Sequence, residues 1–147
     1  MRKLMGLAAM LVIAGSCFGQ SGIGAHKPDK KHKVVIQVST DDPKTWDVTL
    51  NNIYNIIAGA GAENVDIQVV AYGPGLGIFK KQNEDIAERL AKYKQICPLG
   101  LRLNSCAVTM KKTGVTQQDL ASVVETTASG VLRIIELQEQ GYAYIRP

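Results

Sequence analysis

Cys106 is the residue of this sequence best placed to do chemistry. It ends a run that reads as a strand, Leu99 to Asn104 followed by Ser105-Cys106, and a helical turn is predicted directly after it, from Ala107 to Lys111. A thiol at a helix N-terminus has its thiolate stabilised by the partial positive charge there, which makes it more nucleophilic near neutral pH. The other common fate of a free cysteine is that of a small packed residue. Position alone leaves both roles open for Cys106. Cys97 stands just before Pro98, where a helix turns into a strand, and suits the packed role.

The company a thiol keeps decides which reactions it can run. No histidine follows His32, so neither a serine-type triad nor a cysteine-protease pair has its imidazole base. Sulfur relay or redox exchange needs less, because the thiolate is itself the nucleophile. An intrachain Cys97–Cys106 disulfide is not expected. Extended residues between them span roughly 20 Å at about 3.3 Å each, whereas the two Cα atoms must come within about 7 Å. The glycine-rich stretch Gly73-Pro74-Gly75-Leu76-Gly77 fits neither G-x-G-x-x-G nor a P-loop and reads as a tight turn. Its backbone N–H groups can still approach an anion beside Cys106.

Alternating strands and helices are what would position these groups. Lys33 to Ser39 is a short β-branched run of the kind buried on both faces. Asp41-Asp42-Pro43 breaks it and starts a helix whose Trp46, Leu50, Ile53 and Ile57 form one stripe, ended by Gly59 and Gly61. Val65 to Tyr72 is a second strand, and Asp85 to Lys94 a second helix stopped by Pro98. After the strand that carries Cys106, the turn from Ala107 closes at Gly114. Thr116 to Asp119 then looks like an N-cap leading into a short helix. Val123-Val124 reads as a fourth strand. Ser129 to Gln140 reads as a last helix with Val131, Ile134, Ile135 and Leu137 inward, and Tyr142 to Ile145 as a closing strand. This pattern predicts an α/β fold, a three-layer α/β/α sandwich on a mainly parallel sheet of about five strands. In such sheets sites form outside the carboxyl ends of the strands. Ser39, Asp41, Gly73, Gly75, Asn104 and Thr109 are therefore expected around Cys106, with Asn104 placed to orient groups near the sulfur.

A chain of 147 residues is one domain in size, preceded here by a segment to set aside. Arg2 and Lys3, the apolar run Leu4 to Ala14 and the small residues Gly15, Ser16 and Gly19 have the layout of a secretory signal, residues 1–19. The apolar run is well short of the roughly 20 residues that span a bilayer. The expected location is periplasmic or secreted. Ala14-Gly15-Ser16-Cys17 also resembles a lipoprotein box, which would anchor the chain to a membrane through an acylated Cys17. Without Arg2 and Lys3 the basic residues fall from 17 to 15 against 13 acidic ones, a net charge of +2. Much of that excess lies in residues 20–32, a basic linker ahead of the domain at 33–147. Basic residues are not spread with aromatics over a folded face, so no nucleic-acid partner is expected. His26 and His32 have no Cys, Asp or Glu cluster beside them, and no metal or other cofactor is expected.

From about Lys33 to Pro147 the sequence resembles the DsrE-like proteins of the DsrE/DsrF/DsrH sulfur-relay group, especially the small stand-alone members. The likeness runs through Val34-Val35-Ile36-Gln37-Val38-Ser39, Leu50-Asn51-Asn52-Ile53-Tyr54-Asn55 and Val70-Ala71-Tyr72-Gly73-Pro74-Gly75. It continues through Asn104-Ser105-Cys106-Ala107-Val108-Thr109-Met110 and Ser129-Gly130-Val131, and ends in Glu136-Leu137-Gln138-Glu139-Gln140-Gly141-Tyr142-Ala143-Tyr144-Ile145-Arg146-Pro147. The resemblance implies an α/β/α fold on a parallel sheet, assembled with itself into trimers or hexamers. It also implies that a cysteine at the position of Cys106 carries sulfur as a persulfide and passes it to the thiol of an acceptor protein.

Overall fold

The computed structural model describes residues 31–147. The signal segment, the alternative anchor at Cys17 and nearly all of the basic linker lie outside the described residues. Five strands, β1 (His32–Val38), β2 (Val65–Ala71), β3 (Leu101–Cys106), β4 (Val124–Thr127) and β5 (Ala143–Ile145), form one sheet in the order β4-β3-β2-β1-β5. Every neighbouring pair is parallel. Helices α1 (Pro43–Ala60), α2 (Glu84–Ile96) and α3 (Ala107–Thr113) cover one face, and α4 (Gly130–Glu139) covers the other. The result is the expected three-layer sandwich.

Side-chain alternation along the central strands divides the core in two. Val34, Ile36 and Val38 of β1 and Ile67 and Val69 of β2 meet Trp46, Leu50, Ile53 and Ile57 of α1 and Leu90 of α2. On the opposite face Val35 and Val70 meet Ile134, Leu137 and Tyr142. Each fully buried aliphatic side chain stabilises the fold by about 1.5–3 kcal/mol relative to exposure, so the larger cluster dominates. The α4 face is smaller and includes polar groups. Gln68, fully buried, donates to Asp66 at 3.1 Å and accepts from the amide of Asn104 at 3.2 Å.

Local signals account for the element ends. The Asp42 carboxylate accepts from the N–H groups of Lys44 and Thr45, and Pro43 occupies the first turn of α1. Ser129 caps α4 by accepting from Leu132 N–H, and Gly114, in the left-handed region, closes α3. Among the described residues no helix is long and apolar enough to cross a membrane.

The structure corrects the sequence reading in several places. Val131 and Ile135 do not point inward; they are 52% and 46% exposed. The stripe of α4 that meets the sheet is Gly130, Ile134 and Leu137, spaced four and three apart, and Val131, Leu132 and Ile135 lie round the helix from it. β3 begins at Leu101 rather than Leu99, because Pro98 to Gly100 form a turn that leaves Leu99 in solvent; it ends at Cys106 as expected. Thr116 and Asp119 do make a reciprocal capping box, but it encloses only the single 3₁₀ turn Gln117–Asp119. The fourth strand is Val124–Thr127, not Val123-Val124.

Candidate functional site

Cys106 is at once the last residue of β3 and the N-cap of α3. Its strand position turns it toward the α4 face of the sheet, and the first turn of α4 arrives there from the opposite side. A Cβ added to Gly130 would lie 3.2 Å from the Cβ of Cys106 and 3.1 Å from that of Tyr72. Both distances are tighter than ordinary contacts, so a side chain at Gly130 would push a neighbour aside by a few tenths of an ångström. The thiol is therefore enclosed by α3, α4 and Tyr72, and Cys106 is only 4% exposed.

Burial alone pushes the Cys106 thiol up. The backbone N–H groups of Gly130, Thr109 and Val108, with the Thr109 hydroxyl, outweigh that effect and hold it below its usual value. The thiol makes no full hydrogen bond to the N–H groups of α3, so these donors favour the charged form without tying down the neutral one. The donors carry no net charge, and they come from the first turns of two helices, where negative charge is favoured. Cys97 is the contrast. Buried at the opposite end of β3, it touches the carbonyl oxygen of Ala62 at 3.4 Å, and burial pushes its thiol up. Both cysteines are free thiols.

The residues expected around the sulfur fall into three groups. Thr109, in the first turn of α3 that Cys106 caps, is one of the groups that lower its thiol, and Thr109 Oγ1 accepts from Gly73 N–H at 2.9 Å. Ser39 and Gly75 lie one step away, at the end of β1. There a Cβ on Gly75 would sit 2.3 Å from the carbonyl oxygen of Val38. The glycine stretch is thus a 3₁₀ helix, Gly73–Phe79, pressed onto the sheet edge. Asp41 shares with Gly73, Trp46, Lys80 and Thr113 a cleft of about 270 Å³ whose walls do not include Cys106. Asn104 is buried in the sheet, where its amide donates to Gln68 Oε1 and to the carbonyl of Val69.

Gly130 is a site residue that sequence reasoning did not single out. A small residue at the start of a helix was the available signal at Gly130, and only tertiary packing gives it meaning. Among the described residues no three His, Cys, Asp or Glu side chains form a group that could hold a metal ion.

Comparison with known proteins agrees with this architecture. Residues 32–147 match the family model of the DsrE/DsrF-like family. A solved structure, that of MTH1491, a protein of unknown function from Methanobacterium thermoautotrophicum, superposes with a TM-score of 0.72 at 30% sequence identity. The match covers 80% of this chain and 100% of that one. No curated protein matches the chain. On the family match over residues 32–147, the chain belongs to the DsrE/DsrF-like family.

Proposed function

We propose that this protein carries sulfur on Cys106 as a persulfide and hands it to the thiol of an acceptor protein. One observation carries the reading: the Cys106 thiol lies below its usual pKa although it is buried, because neutral donors from two helix starts and the Thr109 hydroxyl converge on it. The Cys106 thiolate attacks the outer sulfur of a donor persulfide R–S–SH. A Cys106 S–S bond forms, the donor S–S bond breaks, and R–S⁻ leaves with the electron pair. Attack by the acceptor thiolate on the outer sulfur reverses the sequence and restores the Cys106 thiolate. No net oxidation occurs and no other cofactor is required. Donors that favour the thiolate serve both halves, since Cys106 is the nucleophile in the first and the leaving group in the second.

Export through residues 1–19 to the periplasm or beyond the cell, with anchoring at Cys17 as the alternative, belongs to the same reading. So does assembly into a trimer or hexamer, for which the exposed Val131, Leu132 and Ile135 of α4 offer apolar surface. The low exposure of Cys106 favours a second reading, a binding or assembly module in which this thiol is packed and inert. Exposure of the full chain to inorganic polysulfide, followed by peptide mass spectrometry, separates the two. Sulfur carriage gives an added sulfur atom on Cys106, and the packed module gives none.

A further inference from the structure

Asp41 and Lys80 line one cleft of about 270 Å³ without pairing to each other. Among the described residues the ion pairs are Arg89–Asp47 and Arg133–Glu136, so both charges are unmatched. Asp119, a second carboxylate within reach of the Lys80 charge, is taken by the N–H and hydroxyl of Thr116 at 2.7 and 2.6 Å. The cleft lies beyond the carboxyl ends of β1 and β2, the edge at which parallel sheets bind ligands. Its walls are held by contacts of their own. The Trp46 indole N–H donates to the carbonyl of Thr40 at 2.9 Å, and Asn83 Nδ2 to that of Gly77 at 2.8 Å. That bond diverts Asn83 from capping α2 and leaves its Oδ1 without a donor among the described residues. Lys80 N–H also donates to the Gly77 carbonyl, at 3.1 Å, and Lys80 forms an antiparallel bridge with Leu120. Gly77 has no room for a side chain: a Cβ would lie 2.6 Å from the Trp46 ring and 3.0 Å from Asp41 Oδ1. The Asp41 carboxylate is thus turned onto the glycine loop beside the indole.

We propose that this cleft binds a free amino acid, with its carboxylate at Lys80, its ammonium at Asp41 and Asn83 Oδ1 as a further acceptor. A ligand of single charge would pair with one of the two residues and strip water from the other without replacing it. A zwitterion matches both. The cleft, about 270 Å³, is smaller than the roughly 300–1,000 Å³ of sites for drug-sized ligands, which suits a molecule of amino-acid size. A frame already fixed by its own hydrogen bonds has little to order when the ligand enters. Cys106 is not among the walls, so the proposal does not depend on sulfur carriage. Trp46 is the one tryptophan of the sequence, and its fluorescence therefore reports on this cleft.

The test is titration of the full chain with L-alanine, L-serine and L-methionine in turn, followed by Trp46 fluorescence and by calorimetry. Saturation at millimolar concentration or below is expected for at least one of them. The tightest is then compared with its deaminated acid and its carboxamide, each of which lacks one charge. Both are expected to bind at least about tenfold more weakly, since each forfeits a charge-assisted contact. Asp41→Asn is expected to remove the preference over the deaminated acid, and Lys80→Gln the preference over the carboxamide. Neither side chain is buried, so both variants are expected to fold, and the analogue comparison needs no variant. Absence of saturation by all three amino acids in both readouts would overturn the proposal. So would single-charge analogues that bind as tightly, or folded variants that keep both preferences. None of the three amino acids carries a thiol, so this result stands apart from sulfur carriage, which the polysulfide experiment decides.

Discussion

Gly130 packs against Cys106 more closely than a side chain would allow without a small shift: a Cβ on Gly130 would meet the Cys106 Cβ at 3.2 Å. The contact joins two elements from opposite sides of the sheet, since α4 covers one face and α3, which Cys106 caps, lies on the other. It brings a backbone N–H of the first turn of α4 to a sulfur that already faces the first turn of α3.

Gly130→Ala is therefore expected to destabilise the fold by about 1–3 kcal/mol, the usual cost of overpacking. It should also move α4 away from the sulfur and raise the alkylation midpoint of Cys106. Urea unfolding checks the first effect and pH-dependent alkylation of the folded protein the second.

Gly75 and Gly73 should respond to substitution for different reasons. Gly75→Ala places a Cβ 2.3 Å from a backbone carbonyl that cannot step aside, and a loss of about 3 kcal/mol or more is expected. Gly73→Ala meets open space but must hold φ at +54°, a strain of about 1–2 kcal/mol. Thermal melts of both variants test this ordering.

The layers of this fold follow from patterns legible in one sequence. The β-branched runs at Val34 and Val65 and the stripe of Trp46, Leu50, Ile53 and Ile57 each have a period that belongs to one kind of element. The place of Cys106 between a strand and a helix was legible for the same reason. What surrounds the thiol was not. Gly130 gains its role from a contact across many residues of sequence, and the Gly73 N–H that meets Thr109 cannot be told from any other loop N–H before the chain is folded. The inward face of α4 was misread because Val131, Leu132, Ile134 and Ile135 are apolar on two sides of the helix, and a short helix with two apolar sides does not declare which one meets the sheet.

Tyr142 offers a test at high pH. Burial, then the hydrogen bond its hydroxyl donates to Asp66 at 2.7 Å, pushes its pKa up to about 12. A phenol raised above its ordinary value of 10.0 stabilises the fold fully below pH 10, and that contribution is lost as pH rises toward 12. Denaturant stability should fall through this window, and Tyr142→Phe should flatten the fall. An equally steep decline in the variant would assign the loss to another group.

Cys97 should behave as a packed thiol. With burial pushing its thiol up and 1% of its surface exposed, it is expected to alkylate at least about tenfold more slowly than Cys106 in the folded protein. In denaturant the two should react alike. Cys97→Ala should cost about 1–2 kcal/mol of stability and leave sulfur uptake by Cys106 unchanged.

Transfer itself is the most direct test of sulfur carriage by Cys106. The full chain is loaded with isotopically labelled polysulfide, freed of excess reagent and offered a thiol acceptor, and the label is followed by mass spectrometry. The expected result is label on Cys106 alone of the two described cysteines, leaving that residue as it appears on the acceptor. Failure of Cys106 to take up label in the folded protein, or label that stays on Cys106 when the acceptor is present, would contradict it.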